Sequence, residues 1–157
     1  MKQTRAYNEL LSLLLSPMDQ QAFEWAVGSM LNDGPPVFVV FRGDAATGKT
    51  TLTNIVRKLI AQPLGNISPR VAFLPDNQMY ETRVDDDMFV FAEVNDMRPL
   101  SDDMIVIHTT GNRVPVNKHH VLMDEIDNEL PEIARGCSAV YSSLGENYNI
   151  TNLENNR

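Results

Sequence analysis

The segment Gly43-Asp44-Ala45-Ala46-Thr47-Gly48-Lys49-Thr50 constrains this chain more than any other, because of what lies on either side of it. Before it runs Val37-Phe38-Val39-Val40-Phe41, a continuous apolar stretch rich in β-branched and aromatic residues, as expected of a parallel strand covered on both faces. After it, Leu52, Ile55, Val56, Leu59 and Ile60 recur at the spacing of a helix laying one face on a sheet, ending near Gln62-Pro63. Strand, glycine loop and helix in this order match G-x-x-x-x-G-K-[ST] in full. Glycines at 43 and 48 permit a tight loop whose N–H groups converge on phosphate oxygens, and the helix N-terminus adds partial positive charge. Lys49 is expected to place an ammonium at the β- and γ-phosphates. Thr50 is expected to offer its hydroxyl to Mg²⁺, with Thr51 a second polar contact. The expected ligand is therefore ATP with Mg²⁺, held by residues 43 to 51.

The rest of the chain fits one α/β domain. Tyr7, Leu10, Leu11, Leu14 and Leu15 predict a helix from Thr4 or Arg5 to Leu15. Ser16-Pro17 is an N-cap followed by proline at the first helical position, opening a second helix that Asn32-Asp33-Gly34 stops. Further strands are expected at Val71 to Leu74, Met88 to Ala92 and Met104 to His108, with His119 to Met123 another candidate. Between Glu93 and Asp103 there is little room for a helical crossover. Glu125 to Leu144 reads as mostly helical, interrupted at Pro131. The expected layout is an N-terminal helical pair (1–34) packed on a core (35–145), with 146–157 a loose tail.

At 157 residues and 43% hydrophobic, the chain can bury one real core. A net charge of −8 argues against a surface broadly built to neutralise nucleic acid, so any DNA contact is expected to be local. The single cysteine, Cys137, permits neither an intrachain disulfide nor a cysteine metal site. Met1 to Ala6 is polar and the run Leu10 to Leu15 is too short to span a bilayer, so the expectation is a cytoplasmic protein without a membrane partner.

Hydrolysis needs an acid at the end of a neighbouring strand. Two places offer one. Met88 to Ala92 runs into Glu93, with Asp96 just beyond; Val121-Leu122-Met123 runs into Asp124-Glu125. Glu93 is preferred, as metal ligand and catalytic carboxylate, because Met104 to His108 with Thr109-Thr110-Gly111-Asn112 then follows as a strand ending in polar residues. One of those polar residues is expected there to touch the γ-phosphate or the attacking water. Zinc at His108, His119 and His120 is disfavoured for want of a recognisable fourth ligand.

These residues together resemble the viral and phage superfamily 3 helicases, specifically the AAA+-related ATPase domain of the phage and poxvirus primase-helicase type. The likeness runs over roughly residues 20 to 145: Ala22 to Leu31 with Trp25 and Gly28, the loop Gly43 to Thr51, Phe89 to Glu93, Thr109 to Pro115, and Glu129 to Gly136. The third motif implies Asn112 as the polar sensor of the γ-phosphate; Ala92 stands where a paired acid is common, Gly111 is an extra residue before Asn112, and the stretch between the second and third motifs is short. The resemblance implies a P-loop NTPase three-layer sandwich with a mostly parallel sheet, AAA+/superfamily 3-like. It also implies ATP hydrolysis in phage or viral DNA replication as a helicase or helicase-associated ATPase, in the host cytoplasm, with single-stranded DNA or replication proteins as partners. In that family a homo-oligomeric ring forms the site, and a neighbour's arginine stabilises the transferring phosphoryl group; Arg113 and Arg98 are the candidates here. Lys118-His119-His120 is a candidate DNA or phosphate contact. The rival readings are a small P-loop nucleotide or metabolite kinase, with Asp85-Asp86-Asp87 at the acceptor, and a non-hydrolysing nucleotide-dependent adaptor or helicase loader.

Overall fold

The computed structural model describes residues 4–62 and 68–148. Its sheet has four strands, all parallel: β1 (Phe38–Arg42), β2 (Val71–Leu74), β3 (Phe89–Val94) and β4 (Ile105–His108), in the order β2-β3-β1-β4. Four α-helices accompany them among the described residues: α1 (Arg5–Leu14), α2 (Pro17–Leu31), α3 (Lys49–Ile60) and α4 (Val116–Leu144). The strand periodicity of two sorts the side chains by face. Val39, Phe41, Phe89, Phe91, Ile105 and Ile107 point to one side, into a single cluster that takes residues from all four helices. The opposite face carries a smaller cluster, Leu74, Val90 and Ala92, covered by a 3-10 turn at Gln78–Tyr80 and by Met79 and Val84. The layer on that side is thin and without an α-helix among the described residues.

The connection from β3 to β4 needs no helix. β4 takes the other side of β1, with Ile105 level with Val39, while β3 ends with Val94 level with Arg42. The chain thus steps across one strand and back by three residues, roughly 10 Å each way, well within the reach of ten extended residues at about 3.3 Å apiece. Arg42 pins this crossover by donating to the Arg98 carbonyl.

Two sequence expectations are corrected. His119 to Met123 is no strand: it lies in α4, whose stripe Leu122, Ile126, Leu130, Ile133 and Cys137 is buried at helical spacing. Pro131 does not interrupt this helix, which runs unbroken from Val116 to Leu144. Proline removes one intrahelical hydrogen bond, and the buried stripe on both sides of it holds the helix together. The close approach of α2 and α4 depends on Gly28, where a Cβ would lie 2.2 Å from the Cys137 carbonyl oxygen.

α2 opens as expected, with Ser16 accepting from the Asp19 amide and Pro17 at the first position. α1 is capped from a distance. Thr4 makes no side-chain cap, and instead the Glu129 carboxylate accepts from the amides of Ala6 and Tyr7, both at 2.9 Å. This ties α1 to α4. Tyr148 falls within the expected tail yet is buried, its ring 5.5 Å from that of Trp25, whose indole N–H donates to the Gly145 carbonyl. Residues 149–157 of that tail, and Pro63 at the expected end of α3, lie outside the described residues. No described helix is long and apolar enough to cross a membrane.

Candidate functional site

The loop 43–50 joins β1 to α3 at the carboxyl ends of the strands, where open α/β sheets bind ligands. Gly48 adopts φ +98, a left-handed conformation that glycine takes without strain, and a Cβ there would strike Leu14 at 2.6 Å. At Gly43 a Cβ would lie 1.9 Å from the Thr109 hydroxyl. Thr47 closes the loop, donating to the Asp44 carbonyl at 2.6 Å and meeting the Thr109 hydroxyl at 2.8 Å. Close approaches thus require glycine at both positions of the motif, and at Gly48 the left-handed backbone requires it as well.

Lys49 folds back on this loop, donating to the carbonyls of Gly43 at 2.5 Å and Asp44 at 2.7 Å. Burial lowers its pKa, opposed by the nearby carboxylates of Glu93, Asp44 and Asp76. A buried ammonium satisfied only by carbonyls is poised to take an anion. Beside it, Thr50 donates to Glu93 Oε1 at 2.9 Å and Thr53 to Oε2 at 3.0 Å. The direct pairing of β1 with β3, Phe41 opposite Glu93, brings this carboxylate to the first turn of α3. Glu93 is only 7% exposed.

A cavity of about 270 Å³ opens between these groups. Asp44 and Thr47 frame the loop; Ala45, Ala46, Gly48, Lys49, Thr50 and Thr51 line the cavity, as does Glu93. Ala46 itself has φ +62. Two residues that sequence reasoning missed also line it, Asp76 and Asn95. Asp76 follows β2 and Asn95 follows β3, neighbouring strands whose ends are locked together. Asn77 donates its backbone N–H to the Glu93 carbonyl at 2.9 Å, and the Asn77 and Asn95 side chains bond at 2.7 Å. Asp76 and Asn77 are successive left-handed residues, φ +50 and +64, a conformation that Asp and Asn tolerate better than other side chains. The sequence signal was Pro75-Asp76-Asn77, which reads as turn chemistry, while its place at a strand end is visible only in the sheet.

Asn112 reaches the cavity, but its side-chain N–H donates to the Leu13 carbonyl at 3.0 Å. Thr110 also donates to Leu13 and, through its backbone, to Leu14. Asp124 and Glu125 are not brought to the site: they lie on α4, where His120 stands 3.5 Å from Asp124 and Arg5 3.1 Å from Glu125. Of the three basic candidates at 118–120, Lys118 pairs with Glu9, His120 faces Asp124, and His119 lines the cavity 2.9 Å from the Thr51 hydroxyl. His108 ends β4 with its side chain exposed, and among the described residues no group of three His, Cys, Asp or Glu side chains could hold a metal ion alone. Arg98 stacks over Tyr80 and pairs with Asp96, which also accepts from the Tyr80 hydroxyl. Asp96 is thus engaged in holding the crossover. Asp85 and Asp87 both pair with Arg70. Cys137 is buried, and burial pushes its thiol pKa well up, leaving a small apolar group.

Comparison with models of known families, with curated proteins and with solved structures finds no significant match.

Proposed function

We propose that this chain binds a nucleoside triphosphate, ATP, with Mg²⁺ at the loop 43–50 and hydrolyses it. The observation that carries this reading is the convergence of Lys49 and the Thr50–Glu93 pair at one cavity. The loop amides and Lys49 are the phosphate-binding elements. Thr50 and Glu93 supply hard oxygen donors, a hydroxyl and a carboxylate 2.9 Å apart, which suits Mg²⁺ held mostly by phosphate and water rather than by a full protein cage. Magnesium, when bound, offsets the charge developing on the transferred phosphoryl group. Asp76 is the second carboxylate, assigned to orient the attacking water. Asn95 is assigned the polar contact to the γ-phosphate, because its strand end abuts that of Asp76 and its side-chain bond to Asn77 uses only the oxygen, whereas the Asn112 side-chain N–H donates to Leu13.

On the sequence resemblance, this ATPase is of the AAA+/superfamily 3 kind and serves phage or viral DNA replication. A kinase reading is less well supported, since Asp85 and Asp87 both pair with Arg70 and neither lines the cavity. Phosphate release measured with and without single-stranded DNA tests the proposal. Turnover that DNA stimulates and Lys49→Ala abolishes is expected. Turnover only in the presence of a small phosphate acceptor would support the kinase, and tight ATP binding without turnover would support the adaptor.

A further inference from the structure

The resemblance implies that a neighbouring subunit's arginine completes the site. The geometry points to Arg113 of the same chain as the arginine that contacts the transferring phosphoryl group, so that one chain holds the whole catalytic set; this inference rests on the ATPase reading above. The chain turns after β4 at Gly111, φ +90, and lays residues 112–114 against the phosphate loop. Asn112 and Val114 line the cavity, and between them Arg113 reaches back to donate to the Ala45 carbonyl at 3.4 Å. Ala45 is the third residue of the loop whose amides are expected to cradle the β- and γ-phosphates. Arg113 is exposed and does not itself line the cavity, and a contact of 3.4 Å is long for a hydrogen bond, so the guanidinium rests against the lining residue Ala45 without being locked there.

Charge supports the same assignment. Arg42, Arg70, Arg98 and Arg135 each pair with a carboxylate, whereas Arg57, Arg83 and Arg113 make no ion pair among the described residues of a chain carrying −8, and of these three Arg113 is the one whose side chain bonds to the loop 43–50. The cavity meanwhile gathers Asp76 and Glu93 beside one lysine. A triphosphate adds further negative charge there, and a planar guanidinium with its fork of donors suits phosphoryl oxygens. Arg98, the other candidate, is held by Asp96 and by the Tyr80 ring.

Turnover per chain of wild type, Arg113→Ala and Arg113→Lys is measured over a wide protein concentration range, together with Arg113→Ala mixed with Lys49→Ala. Affinities for ADP and for ADP with aluminium fluoride are measured in parallel. An arginine acting within its own chain predicts turnover per chain independent of concentration. It predicts a kcat loss of about 10³-fold or more in Arg113→Ala with KM little changed, partial recovery in Arg113→Lys, and no rescue on mixing. Arg113→Ala is also expected to lose the tighter binding of ADP that aluminium fluoride confers, while keeping its affinity for ADP alone. Rescue by Lys49→Ala, which carries an intact Arg113, would overturn the proposal in favour of a neighbour's arginine. An Arg113→Ala protein matching wild type in turnover and in fluoride-dependent binding would overturn it outright. Wild type that neither binds nor turns over ATP would instead defeat the ATPase reading beneath it.

Discussion

At the scale of single residues, the glycine-loop half of the candidate site was legible because its residues are contiguous. Gly43, Gly48, Lys49 and Thr50 sit in one loop, and a strand before and a helix after it fix where they point. The acidic half is spread over strand ends, so it depends on the order in which strands pair. Glu93 was readable from an apolar run ending in an acid, while Asp124, the alternative the sequence left open, is exposed on α4 beside His120. Asp76 and Asn95 were missed because Pro75-Asp76-Asn77 and Asn95-Asp96 look like ordinary turn residues. The assignments differ in what each substitution should do. Asp76→Asn and Glu93→Gln are expected to keep ATP binding within a few fold and to lower kcat by about 10² or more, as removal of a water-orienting or metal-holding group does. Asn95→Ala is expected to reduce kcat more than Asn112→Ala. Steady-state kinetics of the four variants checks this, and equal effects at Asn95 and Asn112 would undo the choice between them.

Among the elements, helices were easier to recognise than to delimit, and their long-range ties were invisible. Periodicity located α1, α2 and α3, and Ser16-Pro17 marked the start of α2. The turn signal at Pro131 outweighed the stripe that continues through it, so α4 was expected to break where it does not. His119 to Met123 is too short a window to separate strand from helix, and only its register with Ile126, Leu130 and Ile133 decides the matter. No local pattern reveals that Glu129 caps α1 across more than a hundred residues of sequence. Its carboxylate satisfies two amides at a helix N-terminus, where the helix dipole also favours negative charge. Glu129→Ala is expected to lower stability by about 1–2 kcal/mol, read as a lower midpoint in urea with an unchanged slope. An unchanged midpoint would show that the cap contributes nothing.

Across the whole molecule, the N-terminal helices belong to the same apolar cluster as the sheet, and they touch the site directly. Leu14 lines the cavity and packs on Gly48, while the carbonyls of Leu13 and Leu14 hold the 110–112 loop. Trp25 joins this end of the molecule to Gly145 and Tyr148. Its replacement by Ala is expected to cost about 3–5 kcal/mol, as for other fully buried large aromatics, and thermal denaturation of Trp25→Ala measures it; a loss below about 1 kcal/mol would mean that the site collapses around the smaller residue. The central claim, that Gly43 to Thr50 holds a triphosphate, is tested most directly by calorimetric titration of ATP with Mg²⁺ into wild type and Lys49→Ala, with circular dichroism to establish that both are folded. Saturable binding to wild type at one site per chain, weakened by about 10-fold or more in Lys49→Ala, is predicted. Equal binding by the two folded proteins, or no binding by wild type, would contradict it.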